Sequence, residues 1–168
     1  MNTGLHNILI HRDKIFLLLV LSFFTQTSVA QGIVYGNSFS FLNPVKEFEK
    51  THTNGYGIKF NVDFEVSGPL TFTAEVGWNK WMGDNLDGAD QHDTEAWSAV
   101  GGFKLNLFGP LYAGARAGYY FGEHFNDFAF IPSAGLSIRR FDFNLGYQVL
   151  YDRKFVDARI GFLWGGKK

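Results

Sequence analysis

The chain has 168 residues, of which 46% are hydrophobic, 18% aromatic and 18% charged, and it contains 20 Gly, 19 Phe and no Cys. This composition is too rich in aromatic residues and too low in charge for a disordered chain. The formal net charge of -1 leaves no basic surface for nucleic acid. The absence of cysteine excludes disulfides, thiolate metal sites and a lipid-modified cysteine, and the length predicts one folded domain.

Residues 1–30 have the pattern of a secretory signal peptide. Arg12 and Lys14 precede an apolar run at 15–24, and small side chains lead up to the end of the segment. The run is about ten residues long, half of the roughly 20 that a membrane-spanning helix requires. We therefore expect export, cleavage at the end of this segment, and a folded domain at 31–168.

Beyond the signal peptide, apolar residues alternate with polar or small ones, which is the period of a β-strand. The clearest run extends from Tyr56 to Val66, where one face is apolar and the other carries Lys, Asn, Asp and Glu. The sequence Ser-Gly-Pro ends this run, and a second alternating run follows directly. Applied to the whole chain, the alternation predicts eight strands, at about 32–41, 56–66, 70–78, 97–107, 111–121, 127–139, 141–151 and 155–164.

The connections between these strands alternate between tight turns and longer or more polar loops. Two of the turns share the sequence Gly-Pro-Leu, at 68–70 and 109–111. This order is typical of an up-and-down barrel, in which both ends of an eight-stranded chain lie on the tight-turn side. Pro132 cannot donate to a strand ladder, so we expect a bulge or a strand start there. The turns are predicted at 67–69, 108–110 and 139–140, and the loops at 42–54, 82–94, 122–126 and 152–154.

Alternation alone does not separate a membrane barrel from a soluble lipocalin-like barrel, because their apolar faces point in opposite directions. The apolar face here carries more large side chains than the lumen of an eight-stranded barrel can hold. The opposite face collects glycines, which suit a crowded lumen better than a wet exterior. The apolar face is therefore predicted to contact lipid. The inward glycines are predicted to be Gly57, Gly77, Gly102, Gly114, Gly118, Gly135, Gly146 and Gly161.

The predicted inner face also carries five basic and five acidic side chains. Buried charge is costly unless it is paired, so these equal numbers predict a neutralised network inside the barrel. Amphipathic aromatic rings favour the headgroup level of a membrane and are predicted near the strand ends of the outer face. The inward charges are Lys59, Lys104, Arg116, Arg139 and Arg159 with Asp63, Glu65, Glu75, Asp142 and Asp157, and the outward rings are Trp78, Trp97, Tyr119, Tyr147 and Trp164.

The final predicted strand, from Val156 to Trp164, alternates apolar residues and carries an aromatic near its end. With the signal peptide and the loop asymmetry, it makes the chain resemble the small eight-stranded barrels of the OmpX-like and OmpA transmembrane-domain families, over nearly all of 32–164. The resemblance implies an all-β, antiparallel, up-and-down transmembrane β-barrel in the bacterial outer membrane. It also implies contacts with outer-membrane lipid and lipopolysaccharide, and recognition of the C-terminal strand by the barrel assembly machinery. Proteins of this family usually end at the aromatic residue, whereas here Gly165 to Lys168 follow. We expect the protein to be a monomer.

Two groups of residues could in principle bind a metal ion. The loop from Asp84 to Asp93 contains four Asp, and carboxylate oxygens are ligands that Ca²⁺ prefers. Their spacing does not match an EF-hand, so we interpret this segment as a solvated acidic loop. His52, His92 and His124 fall in predicted loops without the pair spacing of a metal site. We therefore assign no metal ligand, no cofactor and no cofactor-binding residue.

A lipid A-modifying enzyme would need a Ser, a His and a carboxylate that converge near the outer leaflet. Glu123, His124 and Ser133 are the one combination available, and they match no recognised motif, so we assign no catalytic residue. A lumen that holds Tyr112, Tyr120 and charged side chains would be occluded or pass only water and small ions. We predict a non-enzymatic outer-membrane scaffold that displays extracellular loops to an envelope component or partner. The alternatives are a lipid A-modifying enzyme, a narrow pore and a soluble lipocalin-like carrier.

Overall fold

The fold is a single closed β-sheet of eight antiparallel strands, each paired with its neighbours in sequence, with the first strand paired to the last. The computed structural model describes residues 32–66, 68–83, 92–123 and 125–165. The predicted signal peptide lies outside these residues. Within them, no helix is long and apolar enough to cross a membrane. The strands are β1 (Gly32–Val45), β2 (His52–Glu65), β3 (Leu70–Gly83), β4 (Thr94–Phe108), β5 (Leu111–Gly122), β6 (Phe125–Ile138), β7 (Phe141–Val149) and β8 (Lys154–Gly165), and a 3-10 helix spans Phe48–Lys50.

The three tight turns lie where the sequence predicts them, and all are on the end of the barrel where β1 begins and β8 ends. Gly68 and Gly109 have φ of 91° and 56°, a left-handed conformation that glycine adopts without steric cost. This explains the shared Gly-Pro-Leu sequence, since Leu then begins the next strand. In the third turn the left-handed position is taken by Arg139, with φ of 56°. We call this end of the barrel the turn end and the opposite one the loop end.

Two of the connections predicted as loops are shorter than expected. Loop 1 is confined to 46–51, because β1 and β2 extend through most of the segment predicted as 42–54. Loop 3 is reduced to 123–124, which is no longer than the tight turns. Inward side chains explain the first extension: Leu42 and Phe48 are buried, so this polar-looking segment packs on the lumen. Loop 2 (84–93) and loop 4 (150–153) complete the loop end.

A β-bulge at the start of β2 places His52 inside the barrel, whereas the sequence predicts it in a loop. His52 pairs with Gly83 and Gly55 pairs with Trp81, so β2 contains one extra residue between these pairs. A bulge of this kind reverses the alternation beyond it. An even-numbered side chain is therefore turned into the lumen, although odd-numbered ones point inward along the rest of β2.

The prediction of a bulge or strand start at Pro132 is wrong. Pro132 lies within β6 and pairs with Ala115 of β5 in an unbroken register. On the other side, β6 pairs with β7 at Phe130 and again at Ser133, in the same register, with no pairs between them. This gap in the β6–β7 ladder is where a residue without an N–H can lie inside a strand.

The direction of the two faces is confirmed. The described buried polar and charged side chains point into the lumen, and the outer surface of the strands carries large apolar side chains with exposures of 36% to 71%. The predicted outward position of aromatic rings near strand ends is confirmed for Trp97, Tyr119 and Trp164, which are exposed. Trp164 also stacks on Tyr35, with 4.9 Å between ring centroids. The barrel thus has a lipid-compatible exterior and a polar interior.

Leu145 tests this orientation because it lies midway along β7 and points outward, with 57% of its surface exposed. We expect Leu145→Lys to lower the free energy of unfolding in lipid vesicles by about 2–4 kcal/mol, since a lysine is costly near the bilayer midplane. The matched control is Ile138→Lys at the turn end of β6, which should cost only about 0–1 kcal/mol. Equal costs at the two positions, measured by denaturant titration, would contradict the assignment.

Candidate functional site: the lumen and its two ends

The middle of the lumen is filled by charged side chains of both signs. Four are basic and four are acidic, and each is at most 8% exposed. They come from six of the eight strands, so their ion pairs connect these strands to one another across the lumen. They are Lys59, Lys104, Arg116 and Arg159 with Asp63, Glu75, Asp142 and Asp157.

Glu75 is the centre of the larger group of charges. Its carboxylate accepts hydrogen bonds from the guanidinium groups of Arg116 and Arg159, and Lys59 Nζ lies 3.9 Å from Glu75 Oε1. Lys59 also donates to Asp157. Three cations therefore share two carboxylates, and this group carries one excess positive charge.

A smaller group lies nearer the turn end. Lys104 Nζ is 2.7 Å from Asp63 Oδ2 and 3.9 Å from Asp142 Oδ2, so one ammonium is shared by two carboxylates. Asp63 also accepts a hydrogen bond of 3.2 Å from Asn61. This group has one excess negative charge, which offsets the excess of the larger group.

Asn144 and Tyr112 connect the two groups. Arg116 donates to Asn144 Oδ1 at 3.2 Å, and Asn144 Nδ2 donates to the Tyr112 hydroxyl at 3.0 Å. The hydroxyl donates in turn to Asp142 Oδ2 at 3.1 Å. The network is thus continuous from Glu75 to Asp142, and hydrogen bonds of this kind compensate the desolvation of buried charge.

Two of the ten charges predicted inside the barrel are not part of this network. Glu65 is the last residue of β2, and Arg139 lies in the turn between β6 and β7; both are exposed at the turn end. The alternation correctly predicts that Glu65 is on the inner face, but it does not show where along the barrel axis a strand ends. The predicted neutral network is therefore confirmed with four charges of each sign rather than five.

An aromatic plug fills the loop end of the lumen. Trp81 stacks on Phe125 with ring centroids 4.9 Å apart and meets Phe155 edge-on at 4.9 Å. Phe48 of the 3-10 helix packs against Trp81 at 5.8 Å, and Tyr120 lies beneath with its hydroxyl donating to Gln148. All five rings are at most 5% exposed. The plug consists of Phe48, Trp81, Tyr120, Phe125 and Phe155.

The sequence does not predict this plug, because Phe48 falls in the longer or more polar loop predicted at 42–54 and the third strand is predicted to end before Trp81. One available signal was the alternation itself, since Trp81 continues the odd-numbered inward positions of β3 beyond Asn79. The 3-10 helix had no comparable signal. Its burial depends on contacts with strands that are distant in sequence.

Polar contacts fasten the loop end over the plug. His52 Nε2 and Thr94 Oγ1 are 2.7 Å apart, and the imidazole lies 4.5 Å from the Phe48 ring. The Arg153 guanidinium is 4.3 Å from the centroid of Phe125 and 3.7 Å from Asp127. The rings that close the loop end of the lumen are therefore held in place by His52 of β2 and Arg153 of loop 4.

Part of the predicted acidic loop lies outside the described residues, at 84–91. Asp93 is described, and its carboxylate lies 3.0 Å from Lys80 Nζ and accepts the Gly83 N–H at 3.2 Å. The hydrogen bonds from Lys80 and from this backbone N–H hold the pKa of Asp93 below its ordinary value. Lys80 also lies 3.3 Å from Glu95. The base of loop 2 is thus fixed by one lysine between two carboxylates.

The structure does not bring Glu123 and Ser133 together. Glu123 lies in loop 3, whereas Ser133 is eight residues into β6, about 26 Å along that strand from its first residue at the rise of a β-strand. Ser133 Oγ is directed at the backbone oxygen of Gly114, 3.5 Å away. His124 lies outside the described residues.

No protein-family model and no curated protein sequence matches the chain. A de novo designed transmembrane β-barrel aligns with it at a TM-score of 0.52 and 12% identity, over 80% of this chain and 97% of that one. The outer membrane protein Ail of Yersinia pestis, in phospholipid bilayer nanodiscs, gives 0.51 and 17%, over 78% and 99%. The crystal structure of Ail gives 0.50 and 12%, over 79% and 97%.

These similarities and the strand topology define the fold class. The chain is an eight-stranded, antiparallel, up-and-down transmembrane β-barrel, the fold that the sequence predicts and that Ail also has. The alternative of a soluble lipocalin-like carrier is wrong, because such a carrier needs its apolar face inside. Here that face is outside, and the described lumen is polar at its centre.

Glu75→Gln tests the lumen network with little change in shape. The variant leaves Arg116, Arg159 and Lys59 with too few carboxylates, and removing one partner of a buried ion pair costs about 3–5 kcal/mol. We expect that loss in the free energy of unfolding, measured by denaturant titration in vesicles. Glu49→Gln, on the exposed side of loop 1, is the control and should change it by less than about 0.5 kcal/mol.

A second variant in the same protein makes the test specific. Adding Arg159→Gln to Glu75→Gln removes one of the uncompensated cations, so part of the lost stability should return. If the double variant is less stable than Glu75→Gln by the full cost of Arg159→Gln alone, the two side chains are not coupled and the network is not as described.

Proposed function

We propose that this chain is a monomeric, integral protein of the bacterial outer membrane, exported by residues 1–30, whose barrel is a non-enzymatic and non-conducting base for the display of its loops. Support for the location comes from the barrel fold, the apolar exterior and the signal-like N-terminal segment. Lipid and lipopolysaccharide would surround the exterior, and the barrel assembly machinery would recognise β8.

The observation that carries this proposal is the sealed lumen. The charged network occupies the middle of the barrel, and the aromatic plug closes the loop end above it. An eight-stranded lumen is only just wide enough for side chains to fill it, so this filling by the described residues supports a barrel that does not conduct. The surfaces that remain for function are therefore the two ends, and the loop end is the one that an up-and-down outer-membrane barrel presents to the outside.

The charge of the loop end favours contact with a positively charged partner group. Its described residues include seven acidic and five basic side chains, and loop 2 adds three further Asp in its sequence. An acidic surface attracts cationic partners and accelerates their association at low ionic strength. The acidic residues are Glu47, Glu49, Asp93, Glu95, Glu123, Asp127 and Asp152, and the basic ones are Lys46, Lys50, Lys80, Arg153 and Lys154.

One set of variants distinguishes display from enzymatic activity. We expect a strain that lacks the protein to lose an envelope or surface-binding trait, and the wild-type gene to restore it. A variant in which 84–93 is replaced by a short Gly-Ser linker should fold but fail to restore the trait. The double variant Glu123→Gln, Ser133→Ala should restore it fully, with lipid A unchanged by mass spectrometry.

The opposite pattern would contradict the proposal. Restoration by the linker variant, together with altered lipid A in the Glu123→Gln, Ser133→Ala strain, would favour the enzyme. Planar bilayers supply the remaining discrimination: the purified wild-type protein should give no discrete current steps, whereas reproducible unitary steps would favour the narrow pore.

A further inference from the structure

A cavity of about 270 Å³ opens into the lumen from the turn end, below the charged network. Its walls are built by charged residues from several strands. Asp63, Lys104 and Asp142 are buried and form its deep end, whereas Arg139 and Arg140 are exposed and form its rim with Glu65. We call this space the turn-side cavity.

One buried oxygen at the deep end needs a hydrogen-bond donor. Asp142 is only 4% exposed, and its Oδ2 accepts the Tyr112 hydroxyl. Its Oδ1 is buried and has no hydrogen-bond partner among the described residues. A buried carboxylate oxygen without a donor is unfavourable. This oxygen has essentially no accessible surface, so a ligand in the cavity reaches it only when the carboxylate rotates. A ligand that brings an N–H donor to the Asp142 carboxylate would then satisfy it and gain binding energy.

The charges of the turn-side cavity are separated along its depth. The deep end has two carboxylates, Asp63 and Asp142, against the single ammonium of Lys104. The rim has two guanidinium groups, Arg139 and Arg140, against the single carboxylate of Glu65. A purely cationic ligand would meet excess positive charge at the rim, and a purely anionic one would meet excess negative charge within. The arrangement is complementary to a ligand with both charges.

We propose that the turn-side cavity binds a small zwitterion that carries a primary ammonium group and an acidic group a few atoms apart. The ammonium donates to the Asp142 carboxylate, and the acidic group is held by Arg139 and Arg140, whose guanidinium groups suit carboxylate and phosphate oxygens. A water molecule takes up about 30 Å³ in the liquid. The cavity volume therefore has room for a molecule the size of an amino acid or of phosphoethanolamine.

Two sources could supply this chemistry at the turn end. One is a soluble zwitterion in the compartment that faces the turns, and the other is the headgroup of phosphatidylethanolamine from the adjoining leaflet. Phosphatidylcholine carries the same charges but has no N–H. It therefore cannot donate a hydrogen bond to the Asp142 carboxylate and serves as a negative control.

The test uses the folded barrel in phosphatidylcholine nanodiscs and follows backbone amide resonances by NMR. Phosphoethanolamine and β-alanine should shift resonances at the cavity wall, such as those of Asn106 and Ser137, in a saturable way. Phosphocholine, ethylamine and inorganic phosphate should each bind at least ten-fold more weakly. No shift with either zwitterion, or equal binding of ethylamine or phosphate alone, would overturn the proposal.

Variants locate the site. Asp142→Asn and Arg140→Gln should each weaken phosphoethanolamine binding ten-fold or more. Lys50→Gln removes one cation at the loop end and should leave binding unchanged. Arg140 is exposed in a turn, so its variant keeps the test valid even if Asp142→Asn fails to fold. Unchanged binding in Arg140→Gln, or equal weakening in Lys50→Gln, would contradict the assignment.

A second set of nanodiscs identifies the source of the ligand. If the lipid headgroup enters the cavity, replacing part of the phosphatidylcholine by phosphatidylethanolamine should shift Asn106 and Ser137 without any added solute. Soluble phosphoethanolamine should then compete. If only the soluble zwitterions cause shifts, the ligand comes from solution.

Discussion

The ion pairs around Glu75 are the interaction on which the rest of the structure depends. A carboxylate that holds two guanidinium groups, with Lys59 close by, cross-links strands that are far apart in sequence and neutralises charge that would otherwise be prohibitively costly inside the barrel. With the polar residues satisfied inside, the large apolar residues are left on the outside. Because residues alternate along each strand, the polar side chains that pair in the lumen leave the apolar side chains on the exterior, where they can contact lipid.

The network also divides the lumen into two unlike compartments. Toward the loops, buried aromatic rings close the barrel, and the 3-10 helix of loop 1 contributes one of them, Phe48. Toward the turns, the network ends in an open cavity with charges of both signs, at Lys104, Asp142 and Arg140. The display proposed for the loop end and the ligand binding proposed for the turn end therefore belong to physically separate parts of the barrel. Substitutions at one end of the barrel can therefore be studied without changing the other end.

The sequence predicts the strands, the tight turns and the direction of the faces, because each of these follows from local rules: period-two alternation, glycine at left-handed positions and the capacity of a small lumen. It does not predict what depends on distant contacts. His52 points inward because of one extra residue in β2, Phe48 is buried by strands from the far end of the chain, and Pro132 is tolerated by a gap in one ladder. The pairing of Glu75 with Arg116 and Arg159 likewise depends on the strand register, which alternation leaves open.

The central claim is that the apolar face of the barrel contacts lipid and the other face lines a closed lumen. The most direct test uses the four tryptophans of the chain, because Trp78, Trp97 and Trp164 point outward and Trp81 lies in the plug. Four variants would each keep one tryptophan, with the others changed to phenylalanine, in vesicles of lipid brominated near the headgroup end of the acyl chain. The account predicts that the three outward residues are quenched by the bromolipid, and that Trp81 is protected from both bromolipid and aqueous iodide. Bromolipid quenching of Trp81, with the other three protected, would show that the faces are reversed and would contradict the account.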